Sequence, residues 1–185
     1  MRSTDSARRS CGFTLVEIAL VLVIIGLLLG GILKGQEMIV QAKIKHTLAD
    51  MNGVLAAYNG YLDRYRALPG DDAGAGGPTG RWASLVAANN GNGDGTIGGA
   101  YETQTPDAES RLFWLHLRQA GFISGQGQEQ PMNAHNGILG VQTGGGEATP
   151  GSTLGPVSPI GGLMACASRV PDKVAIAVDI QSDDG

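Results

Sequence analysis

Between Ser10 and Leu33 the chain has one charged residue, Glu17, set in the run "GFTLVEIALVLVIIGLLLGGI". A lone carboxylate in such surroundings pairs with a cation supplied by another group, or else snorkels to the interface or takes a proton. Unpaired in hydrocarbon, an ionisable side chain costs roughly 2.5–3.5 kcal/mol on insertion scales. A second set of candidates lies in "NNGNGDGTIGG", where Asn90, Asn92 and Asp94, then Gly95 and Thr96, repeat the alternating oxygens and sharp turn of an EF-hand calcium loop. Ile97 stands where that loop has an aliphatic residue, but the twelfth position is Tyr101 instead of the bidentate glutamate, with Glu102 next to it and Glu109 farther along. A plain glycine–asparagine turn explains the same residues equally well. Asp179, Asp183 and Asp184 form a weaker oxygen cluster that a solvated acidic tail also explains. His46, His116 and His135 are scattered without ligand or catalytic spacing, and the chain has no G-x-S-x-G and no phosphate-binding G-x-x-x-x-G-K. The reading is of a protein that is not an enzyme and requires no cofactor, with calcium the one ion its spacing suggests.

The element carrying Glu17 is a helix that crosses a membrane. Ile18 to Leu33 is uncharged and spans about 24 Å at roughly 1.5 Å per residue. Arg2, Arg8 and Arg9 precede the run against one acid, Asp5, which places the N-terminus in the cytoplasm and the bulk of the chain across the membrane. No small-residue cleavage site follows the run, so it reads as a signal anchor. Val40, Ile44, Leu48, Met51, Leu55, Tyr58, Leu62 and Tyr65 continue at helical spacing as one apolar stripe, with Gln41, Lys43, Lys45, Asp50, Asn59 and Arg64 solvated between them. "ALPGDD" ends this helix, because Pro69 disfavours helix at Leu68 and Gly70 permits a turn. From Phe13 to Arg66 it measures roughly 80 Å.

Of 30 glycines, 23 follow Arg66, so the remainder reads as short elements joined by tight turns. "DAESRLFWLHLRQAGFI" is a second helix with Asp107 as N-cap, and "RWASLVAA" a helical turn or a strand. "GILGVQT" suggests one strand; "GLMACAS" and "KVAIAVDI", joined by "RVPD", read as an antiparallel pair. The fold class is α+β, a long N-terminal helix packed on a small antiparallel sheet. Thirteen basic residues against 17 acidic ones give a net charge of -4, which supplies no broad basic footprint for nucleic acid and leaves room for a local basic patch only. Cys11 and Cys166 fall on either side of the apolar run, which argues against an intrachain disulfide.

The residues Gly12, Phe13, Thr14, Leu15, Val16 and Glu17 resemble the N-terminal segment of type IV pilins and of the pseudopilins of type II secretion, in which a basic leader ending in glycine precedes Phe, a small polar residue, two aliphatics and Glu. The resemblance implies cleavage by a prepilin peptidase between Gly12 and Phe13, N-methylation of Phe13, and a Glu17 that faces the new amine of a neighbouring subunit. It implies other pilin subunits and an inner-membrane assembly platform as partners, and a single-pass inner-membrane protein that passes into a periplasmic or extracellular fibre. The segments are then a leader (1–12), an assembly helix (13–34), its amphipathic continuation (35–66) and a glycine-rich α+β region (67–185). Many pilins close a C-terminal loop with a disulfide, and Cys166 without a second late cysteine turns the expectation toward a minor pilin; a pseudopilin, or a membrane-anchored binding domain that never polymerises, are the alternatives. Gly26 with Gly30, and Gly31 with Gly35, have the small-xxx-small spacing that lets helices approach, or else mark a stretch that melts on leaving the bilayer.

Overall fold

A computed structural model of the chain describes residues 14–144 and 162–182. The expectations at Gly12, Phe13, Asp183 and Asp184 lie outside these residues. Helix α1 runs Leu15–Tyr65, α2 Glu109–Gln119 and α3 Asp172–Ser182, with strands β1 (Leu139–Gly144) and β2 (Gly162–Ala167) and a short 3-10 turn at Ala87–Asn89. The chain divides into two units at Ala42/Lys43.

In the first unit the apolar residues of α1 are exposed from Leu15, at 85 %, through Leu33. Among the described residues α1 is the one helix long and apolar enough to cross a membrane. A Cβ added at Gly26, Gly30, Gly31 or Gly35 meets nothing within 4 Å among the described residues, so no contact with them requires glycine there.

The second unit is built around the later half of α1. Its core joins Val54, Ala57 and Tyr61 of α1 with Phe113, Trp114 and Leu117 of α2, Leu139 and Val141 of β1, and Ile97 from a loop. The buried stripe of α1 is Ile44, Thr47, Val54, Ala57 and Tyr61, rotated by about one position from the expected one. Leu55 is exposed, while Met51, Tyr58 and Tyr65 stay half-buried. Choosing only large apolar residues misplaced the stripe: it includes a small alanine, and a threonine whose hydroxyl satisfies itself by donating to the Lys43 carbonyl at 3.0 Å. The helix ends at Tyr65, one turn before Gly70, because Arg66 takes the left-handed conformation (φ 57°) while its N–H bonds the Leu62 carbonyl at 2.9 Å.

β1 and β2 pair antiparallel from Leu139 opposite Ala167 to Gly144 opposite Gly162. "GILGVQT" is therefore the partner of "GLMACAS", and the expected pairing with "KVAIAVDI" is overturned: that segment is α3. Its alternating valines and isoleucines mimicked a strand, but Pro171 opens a helix whose first N–H groups, from Val174 and Ala175, bond the Pro171 carbonyl at 2.8 and 2.9 Å. Asp172 favours that helix start, and Ala175 and Ala177 favour helix within it. "RWASLVAA" becomes an isolated bridge at Trp82 and the start of the 3-10 turn. At α2 the N-cap is Ala108, without a side-chain cap, so Asp107 does not serve as expected. Glu109, in the first turn, turns its carboxylate to a loop instead, and Glu109 to Leu117 are all buried.

Candidate functional site

At the head of α1, Thr14 and Glu17 form a capping box. Glu17 Oε2 accepts the Thr14 backbone N–H and the Thr14 hydroxyl, both at 2.8 Å, while the Glu17 N–H reaches Thr14 Oγ1 at 3.3 Å. The spacing T-x-x-E places an N-cap threonine three residues before its glutamate, which satisfies otherwise orphaned helix donors. A carboxylate here also complements the positive end of the helix dipole. Glu17 is exposed, and Oε1 makes no hydrogen bond to the described residues. The group can therefore receive a cation from outside without giving up its cap.

The second candidate is the loop sequence read against calcium. Its side chains bond to backbone and to one another. Asn90 turns to the Gly76 backbone, accepting its N–H at 2.5 Å and donating to its carbonyl at 3.2 Å. Asn92, Asp94 and Thr96 hold one another: Asn92 Oδ1 accepts the Asp94 N–H at 2.8 Å, and Asp94 Oδ1 accepts the Thr96 N–H and hydroxyl at 2.8 and 2.6 Å. Those Thr96 bonds, with one from the Asn92 side chain, keep the Asp94 carboxyl below its usual range.

Two carboxylates from outside the loop organise it instead. Asp71 Oδ1 accepts the N–H groups of Gly93 and Asp94 at 2.5 and 3.1 Å, and Oδ2 that of Gly95 at 2.8 Å. Glu109 accepts the N–H of Asn92 at 2.9 Å and of Gly98 at 2.7 Å. Asp71 and Glu109 are 4 % and 8 % exposed, so these bonds answer the demand that a buried carboxylate be hydrogen-bonded. Backbone pairing tightens the contact, Gly91 N–H to the Asp72 carbonyl and Gly93 N–H to the Asp71 carbonyl. Gly91 is needed for this approach, because a Cβ would stand 2.2 Å from Asp71 Cα. Asp71, Asp94 and Glu109 thereby bring carboxylate oxygens within 4.8 Å of one another. Glu102 lies elsewhere, accepting the Tyr101 hydroxyl at 2.6 Å, and Asp179 sits on the exposed face of α3 outside this group.

Beneath the same loops lies a buried polar network absent from the sequence reading. Tyr61 donates to Asp72 Oδ2 at 2.6 Å, and Arg81 pairs with the same oxygen. Burial opposes charge on Asp72, but the bonds from Arg81, Tyr61 and Gly74 outweigh it and hold its carboxyl below the ordinary range. Burial and the same carboxylate push the Tyr61 hydroxyl well above its ordinary value. His116 is fully buried and stacks on Tyr61, ring centroids 6.3 Å apart. Its burial depresses its protonation against an opposing bond to the Asn89 carbonyl. His46 pairs with Asp50 on the surface of α1 at 3.0 Å, so the three histidines do not converge. Cys166 is a half-buried free thiol in β2, pushed up to about 11 by burial.

Asp71 and Asp72 were the residues that sequence missed. The available signal was "GDD" directly after a helix terminator, acids with no apolar pattern of their own; which loop they would meet was not written nearby.

The prokaryotic N-terminal methylation motif matches residues 7–33. No curated protein and no solved structure matches the chain. The matched motif is the type IV pilin-family signature, and with the exposed apolar part of α1 it fits a membrane-anchored, prepilin-type protein. It carries with it processing by a prepilin peptidase and assembly with other pilin subunits.

Proposed function

We infer that this chain is a structural subunit, a minor pilin, of a type IV pilus or pilus-like fibre. The signature at residues 7–33, placed at the head of an exposed apolar helix, is the observation that supports it. Prepilin peptidase cuts between Gly12 and Phe13, Phe13 is N-methylated, and the mature chain enters a fibre from the inner membrane.

Glu17 supplies the chemistry of assembly. Cleavage gives Phe13 a positive amine, and Glu17 of one subunit receives the amine of the next. Each charge is costly alone in hydrocarbon and neutralised when paired, which favours an ordered stack over dispersed subunits. Thr14 keeps Glu17 at the helix head, where an incoming amine would meet it. Gly26, Gly30, Gly31 and Gly35, which none of the described residues crowds, leave helix surface for close approach of neighbouring helices. Cys166 as the one cysteine after Phe13 supports a minor role over that of a disulfide-closed major pilin.

Mass spectrometry of the N-terminus in sheared, purified fibres tests this. The expected species starts at Phe13 and carries one added methyl group. Recovery of chains that still start at Met1, or absence of the chain from any fibre, overturns the proposal. Recovery of the processed chain only in the fibre of a type II secretion system assigns it as a pseudopilin instead.

A further inference from the structure

His116 of α2 bonds both loops that flank the carboxylate cluster. Its Nδ1 accepts the Gly70 N–H at 2.9 Å, and its Nε2 meets the Asn89 carbonyl at 2.8 Å. An amide N–H only donates and a carbonyl only accepts, so these partners assign the neutral ring with its proton on Nε2. Gly70 (φ 92°) presses on α2 so closely that a Cβ would stand 2.5 Å from the Glu109 carbonyl oxygen.

We propose that His116 is an acid-operated latch: a proton on Nδ1 confronts the Gly70 N–H, and the loops spanning residues 66–76 and 87–96 release from α2 while the α1–α2–β1 core stays closed. The groups facing the ring bound this behaviour. Asp72 lies near and favours the proton, Arg81 lies near and opposes it, and the Tyr61 and Trp82 rings sit beside it, each with its centroid 6.3 Å away. Bonds from Arg81 and Tyr61 hold the Asp72 carboxyl below its ordinary range against the opposing effect of burial. The α1–α2–β1 core takes none of its buried members from residues 66–76 or 87–96, although Ala67 packs against it and Pro69 and Ala75 are buried in the first loop.

The sign follows from burial. His116 binds its proton less readily folded than unfolded, so the unfolded or opened state takes up protons first. The latch is complete above the ordinary histidine value of about 6.5 and is lost as pH falls below it toward the folded value. The proposal concerns the folded domain and holds whether or not the chain assembles.

The test uses the full chain in nanodiscs. His46→Gln with His135→Gln leaves His116 as the sole histidine, and nitrogen-15 NMR of the ring reads its tautomer and titration. Hydrogen exchange, corrected for intrinsic rates, reads the amides of Gly70, Gly91 and Gly93 beside those of Trp114 and Leu115. The expected result is an unprotonated Nδ1 at neutral pH, and loop protection that drops at least tenfold in step with the ring's titration while the α2 amides keep theirs. Loop protection unchanged across that titration overturns the latch, as does loss of loop and α2 protection together, or a ring that takes its proton only on global unfolding. His116→Gln, expected to remove the pH dependence of loop protection, provides the second reading; persistence of that dependence in the variant also overturns it.

Discussion

Two regions of this molecule hold carboxylates against backbone donors, and they use them in opposite ways. At the head of α1, Glu17 is exposed and engaged by one residue, Thr14. Under α2, Asp71 and Glu109 are buried and between them accept five backbone N–H groups. The first carboxylate keeps capacity for a partner from outside; the second pair spends its capacity on fixing the course of a loop. Hydrogen-bond saturation, more than the presence of an acid, separates a group set for intermolecular use from one set for architecture.

The strongest way to break this comparison is Glu17→Ala. Fibre incorporation is expected to fall at least tenfold while leader cleavage continues, read by immunoblot of sheared fibres against membranes. Equal incorporation would place Glu17 with the structural acids. The next effect in size is Asp71→Asn, which keeps the side chain's shape but turns an N–H₂ toward an amide donor. It is expected to lower folding stability by about 2–3 kcal/mol, the scale of a hydrogen bond to a buried charged group, and to leave Glu17-dependent incorporation in place when assayed at permissive temperature. Thermal melts and fibre yield on one preparation check both halves. The smallest effect belongs to Thr14→Ala, which removes the hydroxyl half of the capping box. Losing a threonine cap costs about 1 kcal/mol, expected here as faster amide exchange confined to Leu15–Ile18, with the melting of the second unit unchanged. A shift in that melting would tie the two regions together more closely than their separate bonding indicates.

What could be read from sequence follows the range of the interactions. The anchor, its lone acid, α2 and the strand at "GLMACAS" were legible because each is written in contiguous residues: an uncharged run, an apolar cluster after an acid-rich start, a short apolar segment between glycines. α3 was misread because alternation of Val174, Ile176, Val178 and Ile180 satisfies a strand pattern, while the information that decides the matter, that β2 is already paired, lies in β1, a separate segment upstream. The calcium-like spacing did not announce Asp71, twenty-odd residues away, which bonds the loop's amides. Asn90 shows the same limit, since its partner Gly76 carries no signal that singles it out among many glycines.

The placement of His116 and Glu109 on one helix has a consequence for the order in which the chain folds. Their partners, Gly70, Asn89, Asn92 and Gly98, all precede α2 in the chain. A ribosome therefore releases both loops before the surface that shapes them exists. Contacts across such separations carry a loop-closure cost that must be met before they return anything. The loops can take these four bonds only once α2 has formed, which makes α2 a template for the loops that precede it.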